Sequence, residues 1–293
     1  MIFDIILGLL LLLFLSAGLA WFIASRVIMQ PREVHPEEWR QYDLSPEKIS
    51  FTTTDGIKLA GAFIAGTNGA TIILLHGYGR SKEQMLPQAS MLRRAGFSIL
   101  MFDFRASGES EGKYITFGGK EQRDLEAAVY YLNSRKDVEI SRVGLLGFSM
   151  GGAVGIMKSG DLPAIKAIVI SSTYARFKSV IWQNFQLYLK GIPFFPIGWF
   201  VLFIIKFRTG IYYPYITPVK YLHKLRARPL MIIHGAHDRR ILAQDALEFQ
   251  RRAPWLKEFW LVHNAAHDDV YSITKAEYEM RVVSFFKRYL LEV

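Results

Sequence analysis

The 293-residue chain is 51% hydrophobic, carries a formal net charge of +10 and contains no cysteine. That length holds one large α/β domain of roughly 200–250 residues with something added, or two small domains, and the apolar fraction excludes global disorder. The lack of cysteine excludes a disulfide framework, a thiol nucleophile and zinc–thiolate sites.

The first predicted element is the uncharged stretch Ile5–Ser25, 21 residues long. At 1.5 Å per residue it spans about 30 Å, the thickness of a bilayer's hydrocarbon core. Trp21 sits near its end, where an interfacial aromatic belongs, and Arg26 follows. A cleaved signal peptide is the rival reading, with "SAGLA" as a poor cleavage site. The length of the run, and the lack of Lys or Arg before it, favour an anchor. Residues 1–29 are therefore read as a single-pass transmembrane anchor. Arg26, Arg32 and Arg40 follow it, which places the remaining chain on the cytoplasmic side.

Residues 30–48 are polar, with three prolines and no apolar periodicity, and read as a linker or irregular strap. Residues 49–293 read as one α/β domain. Two alternating runs around Asp55-Gly56 predict a hairpin. Strands then alternate with helices: "ATIILLHG", a helix closed by Gly96, "FSILMFDF", an amphipathic helix carrying Leu125, Val129 and Leu132, then "RVGLLGFS" and a further helix. "IKAIVISS", "PLMIIHG" and "FWLVH" complete the strands, and the chain ends in a helix. Continuous apolar strands between helices imply a mostly parallel sheet covered on both faces.

Strand C-termini in such a sheet open on a crevice where ligands bind. Gly147-Phe148-Ser149-Met150-Gly151 stands where the fifth strand ends and a helix begins. A tight turn there lifts one side chain out of the backbone, and its neighbours two before and two after must be tiny because strand and helix nearly touch. This makes Ser149 the candidate nucleophile; the bland alternative is a glycine-rich turn with an incidental serine. A base and an orienter should follow in the order acid, then histidine, each after a later strand. Asp238 follows "PLMIIHG" and His267 follows "FWLVH", so both fall on the rim that holds Ser149. Alone, each reads equally well as a loop or capping residue. His237 and His263 are the rival bases, and Asp245, Asp268 and Asp269 the rival acids. The backbone N–H groups of Met150 and Tyr78 are the candidate oxyanion donors. His76 lacks any carboxylate–histidine cluster with metal spacing; no metal or other cofactor is expected.

These residues resemble the α/β-hydrolase superfamily of serine hydrolases, and within it the Bem46-like, membrane-anchored esterase/lipase branch. The matching stretches are "TTDGIKLAGAF", "LLHGYG", "DFRASGES", "GFSMGG", "IIHGAHD" and "AAHDD", over roughly residues 49–293 plus the anchor. The resemblance implies an α/β-hydrolase fold with Ser149 as nucleophile, His267 as base, Asp238 as orienter and the oxyanion loop at Tyr78. Two stretches depart from the pattern, Arg105-Ala106-Ser107-Gly108 and Ala265-Ala266, each small for small.

The charge is unevenly spread. Ser171–Arg228 holds nine Lys/Arg and no Asp or Glu, while the other 27 of 36 basic residues nearly balance 26 acidic ones. The same segment holds fifteen aromatics, at the place where α/β-hydrolases carry a lid. Residues 173–228 are read as that insert, with Trp182, Phe194, Phe195, Trp199 and Phe200 lining an acyl pocket. The uncharged run Ile192–Ile205 contains Pro193 and Pro196 and is too short and broken for a second span. Aromatics with flanking cations suit the surface of an anionic bilayer, with Lys206 and Arg208 as the contacting charges. The alternative is a lid packed on its own body with solvated charges.

The expected function is hydrolysis of acyl esters through an acyl-enzyme, with membrane lipids as partners and no role for nucleic acid. The alternatives are a serine peptidase or aminopeptidase, an acyl thioesterase, and a non-catalytic lipid-binding scaffold.

Overall fold

Unbroken apolar strands and the helices between them assemble into an eight-stranded sheet in the computed structural model, which describes residues 2–32, 34, 38–188, 190–191, 194–226 and 228–292. The strands are β1 (Glu47–Thr52), β2 (Lys58–Ile64), β3 (Thr71–Leu75), β4 (Ser98–Phe102), β5 (Val143–Phe148), β6 (Ile165–Ser171), β7 (Leu230–Gly235) and β8 (Glu258–Val262). Their order is β1-β2-β4-β3-β5-β6-β7-β8. β1 and β2 form the antiparallel hairpin at Gly56, whose φ of +82° suits the turn. β2 also runs antiparallel to β4, and every later pairing is parallel.

The inner strands lack alternation because both of their faces are buried. Ile73 and Leu75 of β3, Leu145 of β5 and Ile232 of β7 enter one core; Ile72, Leu74, Leu146 and Ile233 enter the other. The helices α4 (Glu121–Ser134), α5 (Met150–Ser159) and α8 (Ala243–Arg252) cover the first core, with Leu125, Val154 and Phe249 inserted. The second is covered by α3 (Leu86–Arg94) and α10 (Lys275–Leu290), through Leu92 and Phe286. Short helices α2 (Glu38–Gln41) and α9 (Val270–Ile273) lie in connections.

The N-terminal helix α1 (Ile2–Ile28) is long and apolar enough to cross a membrane, or to serve as a signal sequence, by length and composition. Its last three turns are docked on the domain: Ala20, Ala24 and Ile28 are fully buried. Ala24 and Ile28 share a third core with Phe117, Tyr174, Phe177 and Ile205. The segment after α1 lies down on the body. Arg32 donates to the carbonyls of Ser110 (2.7 Å) and Gly112 (2.6 Å), and Trp39 and Leu44 are buried.

Between β6 and β7 the insert forms α6 (Phe177–Tyr188) and α7 (Ile197–Thr209), then a turn of 3-10 helix at Tyr213–Tyr215 and a longer one at Pro218–Leu225. Ile192 and Pro193, counted above in the uncharged run, lie outside the described residues. Val219, Leu222 and Leu225 belong to the first sheet core, so the end of this segment is body rather than cover.

Candidate active site

The turn from β5 into α5 holds Ser149 at φ +52° and ψ −113°, a left-handed conformation that a residue with a Cβ adopts only when its surroundings enforce it. Two glycines make room. A Cβ at Gly147 would stand 2.6 Å from the Gly152 nitrogen, and one at Gly151 would stand 2.4 Å from the Leu75 carbonyl. No backbone tolerates that approach, so the turn requires glycine at both positions. Ser149 N–H donates to the Ser171 carbonyl (2.8 Å), tying the turn to β6.

Three loops at the C-terminal ends of β5, β7 and β8 bring Ser149, Asp238 and His267 together. His267 Nε2 lies 3.2 Å from Ser149 Oγ, and His267 Nδ1 lies 2.6 Å from Asp238 Oδ2. The other Asp238 oxygen accepts the N–H groups of Arg240 and Ile241, both at 2.8 Å, which fixes the carboxylate plane. The ring of Phe148 packs on the imidazole at 5.2 Å between centroids. Ser172 Oγ donates to the His267 carbonyl (3.1 Å). The β7 and β8 loops approach so closely that a Cβ at Gly235 would stand 2.4 Å from the Ala266 carbonyl. Asp238 is 2% exposed while Ser149 and His267 are each 8% exposed, so the acid is sealed and the other two open toward the crevice. A hydroxyl, imidazole and carboxylate in line can move a proton from the hydroxyl to Nε2 while the carboxylate stabilises the imidazolium.

Above Ser149 and His267 lies a cavity of about 460 Å³. Its walls come from the end of α1 (Ile23, Val27), from α6 (Phe177, Ile181, Phe185) and from α7 (Val201, Ile205), with Met150 and Tyr78 at its edge. The chain is expected above to present Trp182, Phe194, Phe195, Trp199 and Phe200 here, and only Phe194 lines the cavity. Helical periodicity is the reason. Within α7, positions 197, 198, 201 and 205 share one face, which turns Trp199, Phe203 and Phe207 outward to exposures of 67–78%; Phe194 and Phe195 precede the helix, the first lining the cavity and the second 71% exposed. Trp182 packs at a tilt near Phe194, 5.7 Å between ring centroids, but is itself exposed, and Phe200 is half-buried outside the cavity.

Arg208, expected among the charges at the bilayer surface, is half-buried. It is turned onto α1: Nη1 donates to Ser25 Oγ (2.5 Å), and the guanidinium lies over the rings of Trp21 (4.8 Å) and Tyr114 (5.0 Å). Lys206, two residues earlier, is exposed with its ammonium 5.1 Å from the Tyr212 ring. The Tyr78 side chain also faces α1, donating its hydroxyl to the Val27 carbonyl (2.6 Å). Burial pushes that phenol's pKa above its ordinary value. His76 bridges two strand ends: Nδ1 donates to the Gly77 carbonyl (2.7 Å), leaving Nε2 to accept the Phe104 N–H (3.0 Å). Burial lowers its pKa, which keeps it in this neutral tautomer.

Both the sequence and the fold have counterparts among known proteins. A profile of the family described as serine aminopeptidase, S33, matches residues 66–193. The YfhR protein of Salmonella typhi, whose own activity is unassigned, is 30% identical over 243 residues, which cover 77% of this chain and 76% of the relative. The Pyrococcus furiosus esterase Pf2001 superimposes with a TM-score of 0.76 at 28% identity, over 90% of this chain and 98% of the esterase. The chain belongs to the α/β-hydrolase superfamily. A thiohydrolase of Aspergillus aculeatus, aneE, is 34% identical over a shorter stretch of 113 residues, 37% of this chain and 36% of the thiohydrolase.

In this hydrolase the other candidate acids are engaged elsewhere. Asp245 accepts the Ala175 N–H (2.7 Å), and burial raises its pKa to about 6. Asp269 accepts the Ala266 N–H (2.6 Å), and Asp268 pairs with Arg240 (2.9 Å). His237 and His263 are exposed, away from Ser149. His234, at the end of β7, is buried with Nε2 donating to the Ile241 carbonyl (2.9 Å), and it braces the loop that carries Asp238. Burial depresses its pKa, so it braces as a neutral ring. Among the described residues no group of three or more His, Cys, Asp or Glu is arranged to hold a metal ion.

Sequence reasoning missed the part played by α1. The signal was present in "SAGLAWFIA". Ser16, Ala20 and Ala24 recur every fourth residue, which leaves a strip of small side chains along one face where another helix can approach.

Proposed function

We propose that the hydrolase is a membrane-anchored serine esterase, of the Bem46-like kind, that cleaves carboxylic esters with apolar acyl chains. The observation that carries this reading is the 3.2 Å approach of His267 Nε2 to Ser149 Oγ at the floor of an apolar cavity. Ser149 Oγ attacks the ester carbonyl carbon as its proton passes to His267 Nε2, and Asp238 holds the resulting imidazolium. The carbonyl oxygen takes the negative charge and is met by the backbone N–H groups of Met150 and Tyr78. When the tetrahedral species collapses, the C–O bond to the alcohol breaks and the alcohol leaves with the proton from Nε2. A water molecule then gives its proton to Nε2 and attacks the acyl carbon; release of the acid returns a proton to Ser149.

The cavity chemistry favours acyl chains over peptides. Aminopeptidase action needs a carboxylate for the substrate's ammonium group, and Asp268, the carboxylate among the described cavity residues, is already paired with Arg240. Thioesters meet the same serine and the same apolar walls, so they are the second substrate class to test. The purified full chain is expected to react with a fluorophosphonate probe and to hydrolyse p-nitrophenyl acyl esters much faster than aminoacyl amides. Failure to label would leave a non-catalytic lipid-binding protein, and preference for amides would point to a peptidase.

The membrane assignment rests on α1, whose most apolar 18-residue window has a mean hydropathy of 2.6 and holds no buried residue among those described, unlike a soluble core helix. The outward aromatics of α7 and the exposed Lys206 suit contact with an anionic bilayer. Arg26, Arg32 and Arg40 favour the cytoplasmic side for the catalytic body. The full chain should stay with the membrane fraction after carbonate washing. Recovery in the soluble fraction, or loss of α1 from the mature protein by mass spectrometry, would overturn the anchor.

A further inference from the structure

We propose that α1 is a wall of the acyl site as well as an anchor: Ile23 and Val27 set the acyl length, and the substrate is a long-chain acyl ester resident in the bilayer. The inference rests on the esterase reading above and goes beyond it. An anchor that only tethers would have no reason to touch the catalytic body. Here Ile23 and Val27 line the same cavity as Ser149 and His267, together with Val201 and Ile205 of α7, the helix that α1 packs against.

The position is held by specific bonds. Tyr78 Oη donates to the Val27 carbonyl (2.6 Å), and Gln30 Nε2 donates to Tyr78 Oη (2.8 Å). The Ile115 N–H donates to the Ile28 carbonyl (2.9 Å), a carbonyl at the helix end that α1 itself leaves unpaired. Arg208 clamps the preceding turn through Ser25. Four polar ties and three fully buried side chains fix the last turns of α1 in register, so each of its residues has one defined place relative to Ser149.

The chemistry of the occupant follows. The two helices that form this wall also carry large exposed apolar side chains, among them Ile2, Phe3, Leu10 and Phe14 on α1 and Trp199, Phe203 and Phe207 on α7. Helices with such faces rest in lipid. An acyl chain already in the bilayer then reaches the cavity between them without crossing water, and its length is measured against Ile23 and Val27. Tyr78 joins this wall to the catalytic serine, since its hydroxyl holds Val27 while its side chain lines the cavity with Ser149.

The test is a chain-length profile of the full protein in phosphatidylcholine vesicles, with p-nitrophenyl esters from acetate to palmitate. Filling the wall with Ile23→Trp or Val27→Trp should lower kcat/KM for laurate through palmitate by about tenfold relative to acetate, with acetate itself held within about twofold. Leu19→Trp, at an exposed position of the same helix, should leave the profile unchanged. Fluorophosphonate labelling shows whether each variant keeps a competent serine. If a filled variant loses labelling, the enlarging changes Ile23→Ala and Val27→Ala decide instead, and they should move the optimum toward longer chains. A profile that matches the wild type in the filling or the enlarging variants overturns the proposal. A wild-type protein that cleaves no ester of any length overturns the underlying esterase reading instead.

Discussion

Replacing Ser149 by alanine is expected to lower kcat for ester hydrolysis by about 10⁴-fold or more and to abolish fluorophosphonate labelling. No neighbouring hydroxyl can substitute. Ser172 is buried with its Oγ committed to the His267 carbonyl, and Ser171 belongs to β6. The variant should fold as well as the parent. Alanine carries the same φ penalty that serine bears at +52°, and both are small enough for the tight turn. Thermal unfolding midpoints should therefore agree within about 2 °C, as expected for a change well under 1 kcal/mol. Activity near the parent level in a folded Ser149→Ala protein would remove the serine from the mechanism.

The second large effect should come from Asp238→Asn. The carboxylate accepts three hydrogen bonds: two from the Arg240 and Ile241 N–H groups on Oδ1, and one from His267 Nδ1 on Oδ2. An asparagine that keeps its oxygen toward the loop N–H groups must aim its NH₂ at Nδ1. That nitrogen can then only accept, so the ring proton moves to Nε2, which faces Ser149. An imidazole in that tautomer has no lone pair for the serine proton. The flipped amide fares no better, because its NH₂ would meet two N–H donors. We expect kcat to fall by about 10³- to 10⁴-fold. KM should change little, since Asp238 is 2% exposed and does not line the cavity. Both constants come from one initial-rate series on one ester. A kcat within tenfold of the parent would show that another acid orients the histidine.

The parallel sheet was readable because its inner strands are buried on both faces, which writes itself as near-continuous apolar runs such as "TIILL" and "LMII". The turn at Ser149 was readable because close backbone approach at Gly147 and Gly151 leaves glycine as the residue that fits. Asp238 and His267 were readable in outline, since each follows a strand whose end is marked by a change from apolar to polar residues. The lining of the cavity was not. Composition announced an aromatic insert, but the helix phase decides which of its rings face in. The phase of α7 is set by its packing against α1 and the body, contacts between residues nearly 200 positions apart.

The sequence by itself determined the local demands: an apolar helix of spanning length, inner strands apolar on both faces, and a serine between obligatory glycines. Each follows from burial period or backbone sterics within a few neighbouring residues. Only the tertiary structure decided that the end of α1 belongs to the cavity, that Arg208 clamps that helix, and that Phe194 faces inward while Phe195 and Trp199 face out. An amphiphilic side chain such as arginine, or a ring on a uniformly apolar helix, is satisfied equally by lipid, solvent boundary or protein. Its local sequence is therefore silent about the choice, which the packing of distant elements makes.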